Sequence, residues 1–225
     1  MSVFITGTDT GVGKTAFSVW LLKRLRERGL RAAGYKPICC GDRQDAELLL
    51  DASSTGLTIN DVNPIWLRTP AAPLTAALEE KRAIELPVLL EGFVRLRERV
   101  DFVVVEGVGG WIVPISDKYF SSDLATDLQL PVIVVVHNRL GCLNHTFLTV
   151  RGIEAAGLRC GGVVLNKLGE SGDFAVTTNA AILRRCLTIS VVEDFNVASA
   201  QIPLRLREML PQLAPPPSST EPPNR

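Results

Sequence analysis

The sequence predicts an α/β fold: a single domain with a mostly parallel sheet and helices on both faces. Three observations carry that prediction. Short β-branched, apolar runs recur along the chain, among them Val3-Phe4-Ile5, Asp101 to Glu106 and Pro131 to Val136. They are continuous rather than alternating, as in strands buried on both faces. Each later run is separated from its neighbour by a segment of helix length, the pattern of strands joined by crossover helices. The chain of 225 residues is long enough for one sizeable core.

The first strand is Val3-Phe4-Ile5, and a helix is expected from Ala16 to Arg28. Between them lies Gly7-Thr8-Asp9-Thr10-Gly11-Val12-Gly13-Lys14-Thr15. Strand, glycine-rich turn and helix form the context of a phosphate-binding loop, whose successive backbone N–H groups and helix N-terminus make an anion site. The spacing departs from the usual motif, because Thr8 stands where the first glycine belongs and Gly7 is one place early. Gly11-Val12-Gly13-Lys14-Thr15 is intact, so the α/β class narrows to a P-loop NTPase fold. Lys14 can reach terminal phosphates and the Thr15 hydroxyl can take a magnesium ion.

A second strand covers Arg31 to Lys36 and stops at Pro37, followed by a loop from Ile38 to Gly41. A helix starts near Asp45, with an acid in its first turn. Leu57 to Pro73 is rich in Asn, Asp, Thr and Pro and reads as mostly loop. Helical patterning resumes near Leu74 and from Leu86 to Arg99. The strand Asp101–Glu106 is closed by Gly107-Val108-Gly109-Gly110; strands Pro131–Val136 and Cys160–Leu165 follow, with a helix running on to Ala156 between them. Ligands of such sheets gather at the carboxyl ends of the strands. One rim should therefore carry Gly7–Thr15, Lys36–Gly41, Glu106–Gly110, His137–His145 and Asn166. Residues 1–212 are expected to form the domain, and the Pro- and Ser-rich residues 213–225 a disordered, dispensable tail.

Composition narrows the partners. Formal net charge is zero, which gives no reason to expect nucleic acid or an anionic membrane. The basic run from Lys23 to Arg28 reads as the wet face of the first helix. No apolar stretch approaches the roughly 20 residues that span a bilayer, and the first strand begins too early for a secretory signal. Five cysteines, an odd number without a CxxC pair, fit reduced thiols in a cytoplasmic protein. With two histidines a structural zinc site is not expected.

Chemistry has few candidates. Lys36, at a strand's carboxyl end on the rim of the phosphate loop, is placed to neutralise a developing oxyanion. Glu106 stands where P-loop enzymes hold magnesium. Asp45 is either a further magnesium ligand or a plain helix N-terminal acid. Gly141-Cys142-Leu143-Asn144-His145 precedes a helix and could form a second anion site. His145 reads as a helix residue, and Cys142 lacks the partners of a nucleophile.

Together these motifs resemble the dethiobiotin synthetase family. The matching segments are the Gly7–Thr15 loop with its Thr-Asp-Thr insertion, Gly34-Tyr35-Lys36-Pro37, Val105 to Trp111, Leu130 to Val135 and Arg139 to His145. They occur in family order, to about Asn166. The resemblance implies an ATP-dependent ligase of biotin synthesis that closes a ureido ring on 7,8-diaminononanoate with carbon dioxide and MgATP. It implies Lys36 and Lys14 as catalytic residues, and magnesium on Thr15, Asp45 and Glu106. Nucleotide would lie against Thr10, Gly11, Val12, Gly13, Lys14, Thr15, Ala16, Asp45, Glu106, Gly107, Val108, Gly109 and Asn166. Substrate would meet Thr10, Cys40, Gly141, Cys142, Leu143 and Asn144. It further implies a homodimer in which the 141–145 segment of one subunit serves the site of the other. Cys40 stands where the family usually has a hydroxyl residue, and a thiol is the weaker donor. The family's Gly-x-Ile-Pro segment is not recognisable in Ser190–Phe195.

The main alternative is a partition or septum-positioning ATPase of related loop type. Such switches carry a lysine where this chain has Asp9. A related ATP-dependent ligase, and a paralogue that binds nucleotide without turnover, are the other readings.

Overall fold

The computed structural model describes residues 1–169, 174–195 and 204–210. The expected tail, 213–225, lies outside the described residues. In chain order the elements are β1 (Ser2–Gly7), α1 (Lys14–Arg26), β2 (Ala32–Tyr35), β3 (Ile38–Cys40), α2 (Gln44–Ala52), α3 (Ile59–Val62) and β4 (Ile65–Leu67). There follow α4 (Pro73–Glu79), α5 (Leu86–Arg99), β5 (Phe102–Gly110), β6 (Pro114–Ser116), β7 (Tyr119–Phe120), α6 (Ser121–Asp127) and β8 (Val132–His137). The last are α7 (Cys142–Ala155), β9 (Cys160–Asn166), α8 (Ala175–Cys186), β10 (Ser190–Phe195) and α9 (Leu204–Met209).

Six strands form one sheet in the order β10-β9-β8-β1-β5-β2, and every pairing in it is parallel. Strand alternation divides the core between its two faces. Phe4, Val103, Val105, Val132, Val134 and Val136 enter one cluster with Leu89 and Phe93 of α5 and Val150 and Ile153 of α7. Val3, Ile5, Phe102, Val104, Ile133 and Val135 enter the other, under Phe17, Leu21 and Leu25 of α1 and Leu49 of α2. The expected parallel sheet with helices on both faces is what the chain forms. β1 sits centrally, with β5 on one side and β8 on the other. The chain therefore diverges to both sides of β1, which opens a crevice at its carboxyl end.

Two expectations are corrected. Ile38–Cys40 and Ile65–Leu67 are not loops but a small parallel pair, in register Ile38↔Ile65 to Cys40↔Leu67, and α3 also lies inside the expected loop. Buried Ile38, Cys39, Ile65 and Leu67 give the pair its core face, although it is too short to show as a periodic run. Glu106 does not end its strand. β5 continues to Gly110, which pairs with Gly7 after an irregularity between Ile5 and Gly7.

Candidate active site

β1 delivers the chain into the loop that carries Thr8 to Gly13. Gly11 and Gly13 have φ of +73° and +94°, and Gly13 is the N-cap of α1 without any side-chain cap bond. The first amides of a 13-residue helix thus face the crevice for an anion to use. Only glycine fits at 13, because a Cβ there would stand 2.0 Å from Asn166 Nδ2. Asn166, buried at the end of β9, donates from that nitrogen to the Val12 carbonyl at 2.9 Å. Val12 is buried as well, so the loop is held on its inner side.

Lys14 is buried, and its ammonium donates to the Asp9 carbonyl at 3.0 Å. Burial, and then the charge of Lys36, bring its pKa down to about 8. The two lysines are thus near enough to oppose each other's charge.

Lys36 follows β2, and two bonds fix its backbone. Its N–H donates to the Val62 carbonyl at 2.8 Å, and its carbonyl accepts from Asn63 Nδ2 at 2.7 Å. Asn63 is wholly buried, and Arg43 Nε donates to its Oδ1 at 2.8 Å. The Lys36 ammonium reaches Glu106 Oε1 at 2.6 Å and Asp45 Oδ2 at 2.9 Å. Burial disfavours that charge, but Glu106 and Asp45 more than offset it and hold the pKa above the usual lysine range. Asp45, half exposed at the start of α2, is desolvated, yet Lys36 and Thr15 bring its pKa below the ordinary carboxylate value. Thr15 Oγ1 lies 2.8 Å from Asp45 Oδ1 and 2.9 Å from Glu106 Oε1, and its single proton serves one carboxylate at a time.

This donor set fits magnesium. All three side chains offer oxygen, the preference of a small hard cation. The second oxygen of Glu106, Oε2, is buried without a hydrogen-bond partner among the described residues, which a hydrated cation would supply. Asp45 stands in the first turn of α2 and also turns its carboxylate onto Lys36 and Thr15.

A cavity of about 730 Å³ opens above this cluster. Thr10, Gly11, Gly13, Lys14, Thr15, Lys36, Cys40, Asp45, Val108 and Gly109 line it, so the phosphate-loop lysine, Lys36 and the α2 and β5 candidates share one space. Glu106 lies beneath, fully buried. Val12, Ala16, Gly107 and Asn166 are not on the wall; Gly107 contributes its carbonyl, 3.5 Å from the Lys36 ammonium. Burial pushes the Cys40 thiol up to about 11, so it meets the cavity protonated. The wall also holds Pro70 to Pro73, and Asp42 and Gln44, which motif reading did not single out. Asn63 was missed as well, since a lone asparagine before a proline carries only a turn signal in sequence.

Gly141, Cys142, Leu143 and Asn144 do not line this cavity within one chain. Gly141 is the N-cap of α7, with φ +89° and no side-chain cap bond. The Cys142 side chain is buried, with Asn179 Nδ2 3.2 Å from its sulfur, so it presents no thiol to a substrate. Gly141, Asn144 and His145 are exposed.

The chain is 44% identical over 194 residues to the ATP-dependent dethiobiotin synthetase BioD of Akkermansia muciniphila, covering 86% of this chain and 87% of the relative. It belongs to the dethiobiotin synthetase family. The enzyme of the same name from Bacillus subtilis is 36% identical over 194 residues, 84% of each chain. The family model described as AAA domain matches residues 1–197. Among solved structures, the cell division ATPase MinD of Pyrococcus furiosus superposes with a TM-score of 0.53 at 20% identity, over 86% of this chain and 84% of that one. The septum site-determining protein MinD of Pyrococcus horikoshii, complexed with Mg-ADP, gives 0.52 at 19% over 86% and 82%. At that identity the likeness establishes the P-loop NTPase fold and nothing narrower. Dethiobiotin synthetases are ATP-dependent enzymes by name. Among the described residues no helix is long and apolar enough to cross a membrane.

Proposed function

We propose that this chain closes the ureido ring of dethiobiotin from 7,8-diaminononanoate, carbon dioxide and ATP, releasing ADP and phosphate. One observation supports this reading above the others. In a member of this family, Lys36 and Lys14 line one cavity above the cluster of Thr15, Asp45 and Glu106.

One substrate amine adds to carbon dioxide and loses a proton, giving a carbamate. A carbamate oxygen attacks the γ-phosphorus and ADP departs, leaving a carbamic–phosphoric anhydride. The second amine attacks the anhydride carbonyl, the C–O bond to phosphate breaks, and a proton is lost. Lys14 and the amides of residues 11–15 would hold the β- and γ-phosphates against the loop. Lys36 would face the carbamate and the transferring phosphoryl oxygens, where negative charge moves between oxygens. Little covalent work falls to the protein, so positioned cations account for most of the acceleration. Thr15, Asp45 and Glu106 would hold magnesium, which when bound neutralises phosphate charge. Asn166 would serve the adenine end of the nucleotide, and Cys40 would meet the substrate as a neutral donor.

In this reading the enzyme is a cytoplasmic homodimer. The amides of residues 141–144 in one copy would bind the substrate carboxylate in the site of the other, as the N-terminus of a 14-residue helix suits an anion.

The test is a coupled assay for ADP release with diaminononanoate, bicarbonate, magnesium and ATP, repeated with each omitted. Release should require all four. ADP formed equally well without diaminononanoate would replace this reading with a simple ATPase.

A further inference from the structure

The cation site and the catalytic lysine draw on the same two carboxylates. Lys36 donates to Glu106 Oε1 at 2.6 Å and to Asp45 Oδ2 at 2.9 Å, and Thr15 Oγ1 bonds the same pair. These three side chains are the oxygen set assigned above to magnesium. The ammonium is therefore within bonding distance of two of the three ligands. A divalent ion on Asp45 and Glu106 would lie against a buried ammonium, with Lys14 also close by. Like charges that close are strongly unfavourable in a partly dehydrated site. Two carboxylates cannot neutralise two lysines and a divalent ion together, whereas a triphosphate adds the missing negative charge.

We propose that Lys36 is an exchangeable counter-ion: it neutralises Asp45 and Glu106 until a divalent cation arriving with the nucleotide takes them, and then turns to the reacting oxygens in the cavity. The backbone of Lys36 stays fixed by Val62 and Asn63, so the exchange is a swing of one side chain. Lys36 lines the 730 Å³ cavity, so there is space beside it for that swing. This gives one lysine two successive partners. It also makes a lysine ready for chemistry only when cation and nucleotide are both present. The proposal rests on the assignment of Thr15, Asp45 and Glu106 as cation ligands.

Manganese binding to the whole protein, followed by electron paramagnetic resonance, tests it. Without nucleotide, Lys36→Met should bind Mn²⁺ at least about tenfold more tightly than wild type, because a competing charge at bonding distance is gone. With a non-hydrolysable ATP analogue the two proteins should converge to within a few fold. Equal Mn²⁺ affinities without nucleotide would overturn the proposal. A second measurement needs no variant beyond Lys36→Arg for assignment. In wild type labelled with ¹⁵N-lysine, the Lys36 Nζ resonance should move when Mg²⁺ joins the analogue. A resonance that ignores Mg²⁺ overturns the exchange even if Lys36→Met does not fold. Parallel ADP assays separate the two readings: a resonance that moves in a protein without diaminononanoate-dependent turnover leaves the exchange standing and removes the ligase.

Discussion

Lys36 differs from an ordinary surface lysine in what surrounds it. It is 4% exposed, its carbonyl is clamped, and two carboxylates keep its ammonium charged. In the proposed reaction, replacing it removes a charge that would turn to the reacting oxygens and leaves the phosphate loop in place. Lys36→Ala should therefore cut kcat by roughly 10²–10³, the scale of losing one transition-state donor, with MgATP affinity little changed. Calorimetric titration beside steady-state kinetics separates the two effects, and near-wild-type turnover would take Lys36 out of the chemistry. Glu106→Gln keeps shape and loses charge. The Mg²⁺ concentration for half-maximal turnover should rise by about tenfold or more, as expected when a cation loses one anionic ligand, and an unchanged magnesium titration would contradict the assignment. Lys14 titrates within reach of experiment. Its pKa is lowered to about 8, so it carries its charge below that pH and loses it above. Affinity for a non-hydrolysable ATP analogue should be flat from pH 6.5 to about 7.5 and weaken as pH rises through 8 and beyond. The slope should vanish in Lys14→Met. The same depression means that burying the Lys14 charge costs stability well below pH 8, where both states are protonated; between about 8 and its ordinary value of 10.5 the unfolded chain binds more protons, so that cost is relieved as pH rises.

At the scale of elements, the phosphate loop and the central strands were legible because each has a local cause. A glycine must stand at 13, where φ is positive and Asn166 crowds the position, and continuous valine runs mark strands buried on both sides. Gly34 belongs here too: a Cβ there would meet Leu49 at 2.8 Å, so its absence lets α2 pack closely on β2. What local pattern could not reveal is the support beneath the site. The β3–β4 pair is three residues long on each side, and its partners are 27 residues apart in sequence, as Ile38↔Ile65 shows. Asn63, between α3 and β4, binds the Lys36 and Ile65 carbonyls and receives Arg43. None of these bonds has a sequence period. Asn63→Ala would leave two buried carbonyls without that donor, a loss of about 1–3 kcal/mol for an unsatisfied buried group. Thermal unfolding should register it. Because the Lys36 backbone loosens, kcat should fall more than affinity for ATP; a variant with wild-type kcat and a lowered melting temperature would show Asn63 to be structural only.

For the whole molecule, topology decides which candidates meet. The order β8-β1-β5-β2 brings the ends of β1, β2 and β5 to one crevice, and there Lys14, Lys36 and Glu106 converge from positions 14, 36 and 106. Residues 141–144 sit beyond β8, on the other side of β1, and do not reach that cavity within the chain. Rim position in sequence therefore could not distinguish a residue that lines this cavity from one that does not. A complementation experiment tests whether residues 141–144 serve a second copy. Asn144→Asp is a mild change for the fold, since Asn144 is exposed and an acid is favourable in the first turn of a helix. It nevertheless places a negative charge where the substrate carboxylate would dock, so KM for diaminononanoate should rise sharply. Lys36→Ala disables the other half. In a shared-site dimer, an equal mixture of the two inactive proteins yields half heterodimers, each with one intact site of two, and about a quarter of wild-type activity should return after subunit exchange. If each chain carried a complete site, no mixture of the two would recover any activity, and the partner's contribution would be excluded.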